Sequence, residues 1–92
     1  MTNLISIKYH TDPGHGWLQV DKALLNDLNI AHKISDYSYQ CNNNYAYLEE
    51  DCDAGILLDA LKARNIEFEI IRTYSTLSPI RSFNRYVYKL LQ

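Results

Sequence analysis

A chain of 92 residues, 47% of them hydrophobic, is expected to form a single domain, residues 1 to 92, with one hydrophobic core. It has no apolar run of the roughly 20 residues that a membrane-spanning helix needs, and its first residues lack the basic and apolar segments of a signal peptide. Its two cysteines, Cys41 and Cys52, are too few for a disulfide scaffold, so we expect reduced thiols in a cytoplasmic protein.

Charge is segregated along the chain, although the net charge is only −2. Residues 36 to 69 carry eight acids and two bases, whereas residues 70 to 92 carry four bases and no acid. This polarity predicts a surface that recognises charged partners. The alternative is a set of solvated faces that scatter in three dimensions.

The first 20 residues predict a β-hairpin. Apolar and polar side chains alternate through LISIKYH, residues 4 to 10, and WLQV, residues 17 to 20, is rich in β-formers. Asp12, Pro13 and Gly14 between them are typical turn residues.

The same stretch, HTDPGHGW, has two interpretations. His10, Asp12 and His15 form an H-x-D-x-x-H pattern, and imidazoles and carboxylates are metal ligands when the backbone makes them converge. The structural interpretation has Asp12 accepting backbone N–H bonds, Gly14 and Gly16 supplying positive φ, and Trp17 packing beneath the turn. We favour the turn, because no further ligand lies near it in the chain.

A helix and a second hairpin follow. VDKALLNDLNI, residues 20 to 30, predicts a helix that Asp21 caps, with leucines on one face. DYSYQCNNNYAYLEE, residues 36 to 50, predicts two strands in which tyrosines alternate with smaller side chains. The residues Asn42 to Asn44 are expected to make the turn, because asparagine tolerates the left-handed backbone region.

The rest of the chain predicts a second helix and at least one more strand. EEDCDAGILLDALKARN, residues 49 to 65, has an apolar stripe at helical spacing, and Asp51 is the expected N-cap. IEFEII, residues 66 to 71, alternates as a strand does. YVYKLL, residues 86 to 91, fits a final strand or a short helix, and we favour the strand.

The element order ββαββαβ, with a sixth strand as an option, predicts an α+β fold. A single antiparallel sheet with two helices packed on one face would bury both leucine stripes.

The candidate functional residues are acids in one segment and bases in another. Four carboxylates at the start of the second helix suit its dipole, and their excess over one cap leaves an anionic patch for basic partners: Glu49, Glu50, Asp51 and Asp53. Bases interleaved with aromatic rings near the C-terminus suit contacts with phosphates and bases of nucleic acid: Arg81, Arg85 and Lys89. A solvated tail is the alternative for these bases.

Four ordered blocks resemble a family of small proteins carried by phages, prophages and plasmids. They are TDPGHGW at residues 11 to 17, YSY at 37 to 39, LEEDCDAG at 48 to 55 and PIR at 79 to 81. Together they span most of the chain. Within that family the sequence is similar to phage-encoded type I-F anti-CRISPR proteins.

The resemblance implies a non-enzymatic inhibitor, without a cofactor or a metal, in the bacterial host cytoplasm. Its expected partner is the crRNA-guided surveillance (Csy) complex, whose backbone and large subunits it would bind near the crRNA, blocking target DNA hybridisation. Contact with the crRNA itself is a further expectation, and no membrane is expected as a partner. The alternatives are a binder of another host regulator and a metal-dependent enzyme that uses the H-x-D-x-x-H turn. Exposed strand edges indicate a monomer or a weak dimer when the protein is free.

Overall fold

The computed structural model describes residues 4–42 and 44–88. The second half of the YVYKLL segment, residues 89 to 91 including Lys89, therefore lies outside the described residues. The described residues form one mixed β-sheet with two α-helices and two short 3-10 helices. The helices are α1 (Lys22–Asp27), α2 (Ala54–Ala63) and the 3-10 turns Ala31–Lys33 and Pro79–Ser82. The strands are β1 (Ile5–Thr11), β2 (Gly16–Asp21), β3 (Tyr39–Cys41), β4 (Tyr45–Glu49), β5 (Phe68–Tyr74) and β6 (Asn84–Arg85).

The strand order is β5-β1-β2-β4-β3-β6, which confirms the α+β class and differs from the prediction in one pairing. Four pairings are antiparallel, as expected, whereas β5 runs parallel to β1. The cause is the connection through α2. The chain leaves β4, passes along the helix and enters the sheet again in the direction of β4, which is also the direction of β1. A wholly antiparallel sheet was therefore the wrong expectation.

One face of the sheet is covered by both helices, as predicted. Inward side chains of β1, β2 and β4 pack against the leucines of α1 and α2 in a single cluster. Four of these side chains are fully buried leucines: Leu25, Leu48, Leu57 and Leu61. Burying a leucine contributes about 1.5–3 kcal/mol, so this cluster is the main apolar contribution to stability.

The opposite face carries a smaller cluster that the sequence did not predict. Trp17 from β2 and Tyr47 from β4 are buried beneath Ile80 of the second 3-10 turn, with Phe83 packed against them. Ser78 caps that turn by accepting the Ile80 N–H, and Pro79 occupies its first position, where a missing N–H costs nothing. The segment after β5 therefore folds back over the sheet.

The sequence predicted the N-cap of α1 correctly and that of α2 incorrectly. Asp21 accepts the Ala23 N–H at 2.9 Å and caps α1, as predicted. The second cap prediction was wrong, because α2 begins at Ala54 with Asp53, not Asp51, in the N-cap position. The Asp53 side chain makes no capping bond, since its carboxylate is engaged elsewhere.

Asparagines, not glycines, take the left-handed backbone conformation. Asn42 has φ 54°, as expected for the second hairpin turn, and Asn29 and Asn65 follow α1 and α2 with φ 59° and 57°. No described glycine has positive φ, so that part of the prediction for Gly14 and Gly16 was wrong. Gly16 is required for a different reason: a Cβ there would overlap the Tyr9 ring.

In the described part of the C-terminal segment, the strand is shorter than predicted and lies earlier in the chain. β6 consists of two residues, Asn84 and Arg85, paired with β3, and residues 86 to 88 are not in a strand. Tyr86 instead turns into the helix-covered core, where its hydroxyl donates to the Ala31 carbonyl at 2.6 Å. The helices of the described residues all lack the length and apolarity that crossing a bilayer requires.

Candidate partner-binding site

The turn between β1 and β2 is organised by one carboxylate. Asp12 Oδ1 accepts the backbone N–H groups of Gly14 and His15 at 2.9 and 2.8 Å, which confirms its predicted role. The Arg81 guanidinium grips the same carboxylate through Nε at 2.6 Å and Nη2 at 3.0 Å. This bidentate ion pair holds the pKa of Asp12 well below its usual range and raises the pKa of Arg81.

Trp17 forms the floor beneath this ion pair. The residue is 2% exposed, and the Arg81 guanidinium carbon lies 5.5 Å from its ring centroid. The His15 ring lies beside the indole at 6.0 Å, and Tyr39 meets it edge-on at 6.3 Å. The indole N–H is buried and has no hydrogen-bond partner among the described residues.

The H-x-D-x-x-H side chains do not converge on a common point. His10 Nε2 lies 2.8 Å from Gln19 Oε1, and its Nδ1 lies 2.9 Å from Thr73 Oγ1, so both ring nitrogens are engaged. Asp12 is engaged by Arg81, and His15 Nδ1 lies 3.7 Å from the Glu49 carboxylate. In this arrangement the pattern serves the hairpin, and a metal bound there would have to displace these bonds.

Two of the four predicted acids are buried and hold the chain together. Glu49 Oε2 accepts the N–H groups of Asp51 and Cys52, both at 2.9 Å, and so closes the turn after β4. The adjacent Glu49 carboxylate also raises the pKa of the Cys52 thiol. Cys52 is therefore a poor nucleophile despite its exposure.

Asp53, the second buried acid, ties α2 to the segment before β3. The residue is 2% exposed, and its Oδ2 accepts the Ser35 N–H at 3.1 Å, the Ser35 hydroxyl at 2.7 Å and the Ser38 hydroxyl at 2.5 Å. Ser38 in turn accepts the Glu49 N–H at 2.9 Å. These bonds satisfy a buried charge and fix the position of the 36–38 loop.

The other two acids, Glu50 and Asp51, are exposed. The Tyr9 hydroxyl donates to Glu50, and this bond raises the pKa of Tyr9 to about 12. Carboxylate oxygens of Glu49, Glu50 and Asp51 lie within 4.8 Å of one another, the one group of potential metal ligands that the described residues bring together. The Glu49 carboxylate already accepts two backbone N–H groups, so the primary role of this cluster is to close the turn and not to bind an ion.

Of the three predicted bases, the structure describes two. The Arg81 guanidinium is paired with the Asp12 carboxylate. The Arg85 side chain is exposed, and its guanidinium carbon lies 4.8 Å from the centroid of the Tyr39 ring. Arg85 Nη1 also donates to the Asp36 carbonyl at 3.3 Å. The third base, Lys89, lies outside the described residues.

A single cleft of about 420 Å³ brings the acidic and the basic segments together. Asp51 and Glu49 line it from the turn after β4, and Arg81 and Arg85 line it from the segment after β5. Aromatic rings complete its wall: Trp17, Tyr37 and Tyr39. We call it the mixed-charge cleft. Both signs of charge and stacking surfaces are thus available at one opening.

The aromatic wall was missed by sequence reasoning. Tyr37 and Tyr39 were assigned to a strand by their alternation, but β3 begins only at Tyr39, which leaves Tyr37 in the loop with 63% of its surface exposed. An exposed tyrosine two residues before a strand gives no signal of its own. Only the loop anchored by Asp53 brings its ring to the cleft.

Comparison with family models, with curated proteins and with solved structures gave no significant match. The functional proposal therefore rests on the residues of the mixed-charge cleft and on the four sequence blocks.

Proposed function

We propose that this protein is a phage-encoded anti-CRISPR protein that acts by stoichiometric binding. It binds the type I-F crRNA-guided surveillance (Csy) complex in the bacterial host cytoplasm and blocks target DNA hybridisation. The observation that carries the proposal is the mixed-charge cleft, which Asp51, Arg81 and Arg85 line together. The four sequence blocks supply the identity of the target.

The charges of the cleft fit a guide-loaded complex. Such complexes hold their heteroduplex in a positively charged channel, as established for Cas9-type effectors, and early pairing of the guide is a step that can be blocked. In our proposal Asp51, which lines the cleft, and the neighbouring exposed Glu50, which lies outside it, contact Lys and Arg side chains of the backbone and large subunits. Arg85, stacked on Tyr39, contacts crRNA phosphate or an acidic protein surface.

The remaining predicted residues support the binding surface from within. Glu49 and Asp53 fix the acidic turn and the adjacent loop, and the Asp12 carboxylate orients Arg81 toward the cleft. A guanidinium has five N–H donors, and the ion pair uses Nε and Nη2, so Nη1 is left for a partner. Pre-oriented donors lose less entropy on binding, which favours a specific contact.

Co-expression of the tagged protein with the Csy complex tests the proposal. The wild type should co-purify with the complex and abolish its binding to target DNA. Asp51→Lys and Arg85→Glu should each weaken inhibition at least tenfold, because reversed charges oppose like charges on the partner. Asp59→Lys and Lys33→Glu are matched controls, since both residues are exposed and neither lines the cleft.

Four outcomes would contradict the proposal. Normal target DNA binding in the presence of excess wild-type protein removes the inhibition mechanism. Controls that lose inhibition as strongly as the cleft variants remove the assignment of the surface. Capture of a different host protein instead of the Csy complex supports the alternative of another host regulator, and stoichiometric metal in elemental analysis supports the enzyme alternative.

A further inference from the structure

The strand β5 forms one edge of the sheet, and its outer edge is unpaired among the described residues. It is seven residues long, and six of the seven are exposed. Two adjacent isoleucines lie in its middle, Ile70 with 37% and Ile71 with 43% of their surfaces exposed. Native proteins usually blunt such edges with short strands, prolines or inward charges, because an open edge is a template for pairing. The opposite edge, β6, has only two residues.

The backbone of β5 presents a regular set of free groups at this edge. The Ile5 N–H donates to the Glu67 carbonyl at 3.1 Å, and the Ser75 N–H donates to the Thr11 carbonyl at 3.0 Å. Because backbone groups alternate in direction along a strand, the odd-numbered residues from 67 to 75 face β1. The N–H and C=O groups of the even-numbered residues from 68 to 74 therefore point to the open edge.

We propose that this edge pairs with the same edge of a second copy of the chain, antiparallel and about a two-fold axis at Ile71. Such an axis stands normal to the sheet and keeps each side chain on its own face, so residues of like parity oppose each other. Two six-stranded sheets then become one continuous sheet. The interface uses β5 alone and does not involve the mixed-charge cleft.

The charges and the length of β5 together favour this register. Centring the axis on Glu69 would oppose two carboxylates, and centring it on Arg72 would oppose two guanidinium groups, both unfavourable. An axis at Ile71 pairs all seven residues of β5, whereas an axis at Ile70 leaves the strand offset. At Ile71 no residue is opposed by a like charge.

The side chains that meet in this register are complementary. Ile71 meets Ile71 of the second copy, and Phe68 meets Tyr74, an aromatic pair of the kind that stabilises antiparallel strands. Ile70 meets the aliphatic stem of Arg72, whose guanidinium is drawn back over the ring of Tyr9 at 5.3 Å. Apolar surface that is exposed in the single chain is thereby covered.

Single cysteines placed along β5 test the proposed register directly. They are introduced into a variant in which Cys41 and Cys52 are replaced by serine. Ile71→Cys should form a disulfide-linked dimer under mild oxidation, because directly opposed Cα atoms lie about 4.5–5.5 Å apart, within disulfide range. Thr73→Cys is the matched control: its counterpart lies four residues further along, at roughly 13 Å, and should not link. Linkage at Ile70→Cys or Thr73→Cys in place of Ile71→Cys would overturn the proposal.

Sedimentation equilibrium on the unmodified chain gives the second measurement. The mass should rise from 10.7 kDa towards twice that value as concentration increases from micromolar to millimolar. Ile71→Lys should hold the protein at the monomer mass, while Leu77→Lys, an exposed apolar residue outside β5, should leave dimerisation unchanged. A wild type that stays monomeric at every concentration, or an Ile71→Lys variant that dimerises as the wild type does, would overturn the proposal. Neither measurement requires the Csy complex, so the result is independent of the proposed function.

Discussion

Replacing Asp53 should lower the stability of the protein far more than replacing an exposed acid of the same segment. Its carboxylate accepts three bonds, from the Ser35 N–H, the Ser35 hydroxyl and the Ser38 hydroxyl. Asp53→Ala leaves these donors without their acceptor, and each buried orphan costs about 1–3 kcal/mol. Since Ser35 can recover some water, we expect a total loss of about 3–5 kcal/mol in the free energy of unfolding. That loss is a large share of the total free energy of unfolding of a typical domain, which is about 5–15 kcal/mol.

Thermal denaturation followed by circular dichroism measures this loss, with Asp51→Ala as the matched control. For a domain of this size 1 kcal/mol corresponds to about 4–8 °C, so the Asp53→Ala midpoint should fall by at least about 12 °C. The exposed Asp51 side chain makes no hydrogen bond among the described residues, so its variant should stay within about 0.5 kcal/mol of the wild type. Equal midpoints for the two variants would refute the role assigned to Asp53.

Three further predictions follow from single contacts. Gly16→Ala should lower the thermal midpoint because its Cβ would overlap the Tyr9 ring, whereas Gly55→Ala, whose Cβ meets nothing within 4 Å in α2, should raise stability by about 0.5–1 kcal/mol. The pKa of Tyr9 is raised from 10.0 to about 12, so the contribution of Tyr9 to stability is complete below pH 10 and is lost as the pH rises from 10 to 12. In a spectrophotometric titration, the Glu50→Gln variant should show one tyrosine that ionises at a lower pH than in the wild type. The lowered pKa of Asp12 means that its contribution is complete above the ordinary value of 3.8 and is lost as the pH falls, so Asp12→Asn should lower stability at pH 7 and reduce the acid sensitivity of unfolding.

Local patterns predicted the elements that depend on neighbouring residues. The alternation in LISIKYH predicted β1, and the β-forming residues of WLQV predicted β2, each to within one residue at either end. The Asp12 turn and the Asp21 cap were also predicted correctly, because both bonds join residues two or three positions apart. These interactions are complete within a few residues, so the sequence contains the information they need.

Features that depend on distant residues were missed or wrong. The direction of β5 depends on which strand it pairs with, and IEFEII pairs with either orientation equally well by its own pattern. The N-cap of α2 moved to Asp53 because Glu49, not Asp51, satisfies the N–H groups of the preceding turn. Arg81 was interpreted as a surface base since its carboxylate partner, Asp12, lies 69 positions earlier in the chain. No local signal marks such a pair.

The division of the four acids changes how the binding proposal has to be tested. Reversing all of them at once would place cations at Glu49 and Asp53, whose carboxylates accept bonds inside the fold. Loss of inhibition would then report unfolding as readily as loss of contact. Restricting the change to Asp51 leaves those bonds intact and alters the charge at the mouth of the cleft. An Asp51→Lys variant that keeps the wild-type melting temperature and loses inhibition therefore assigns the effect to the partner surface, and one that keeps both excludes Asp51 from that surface.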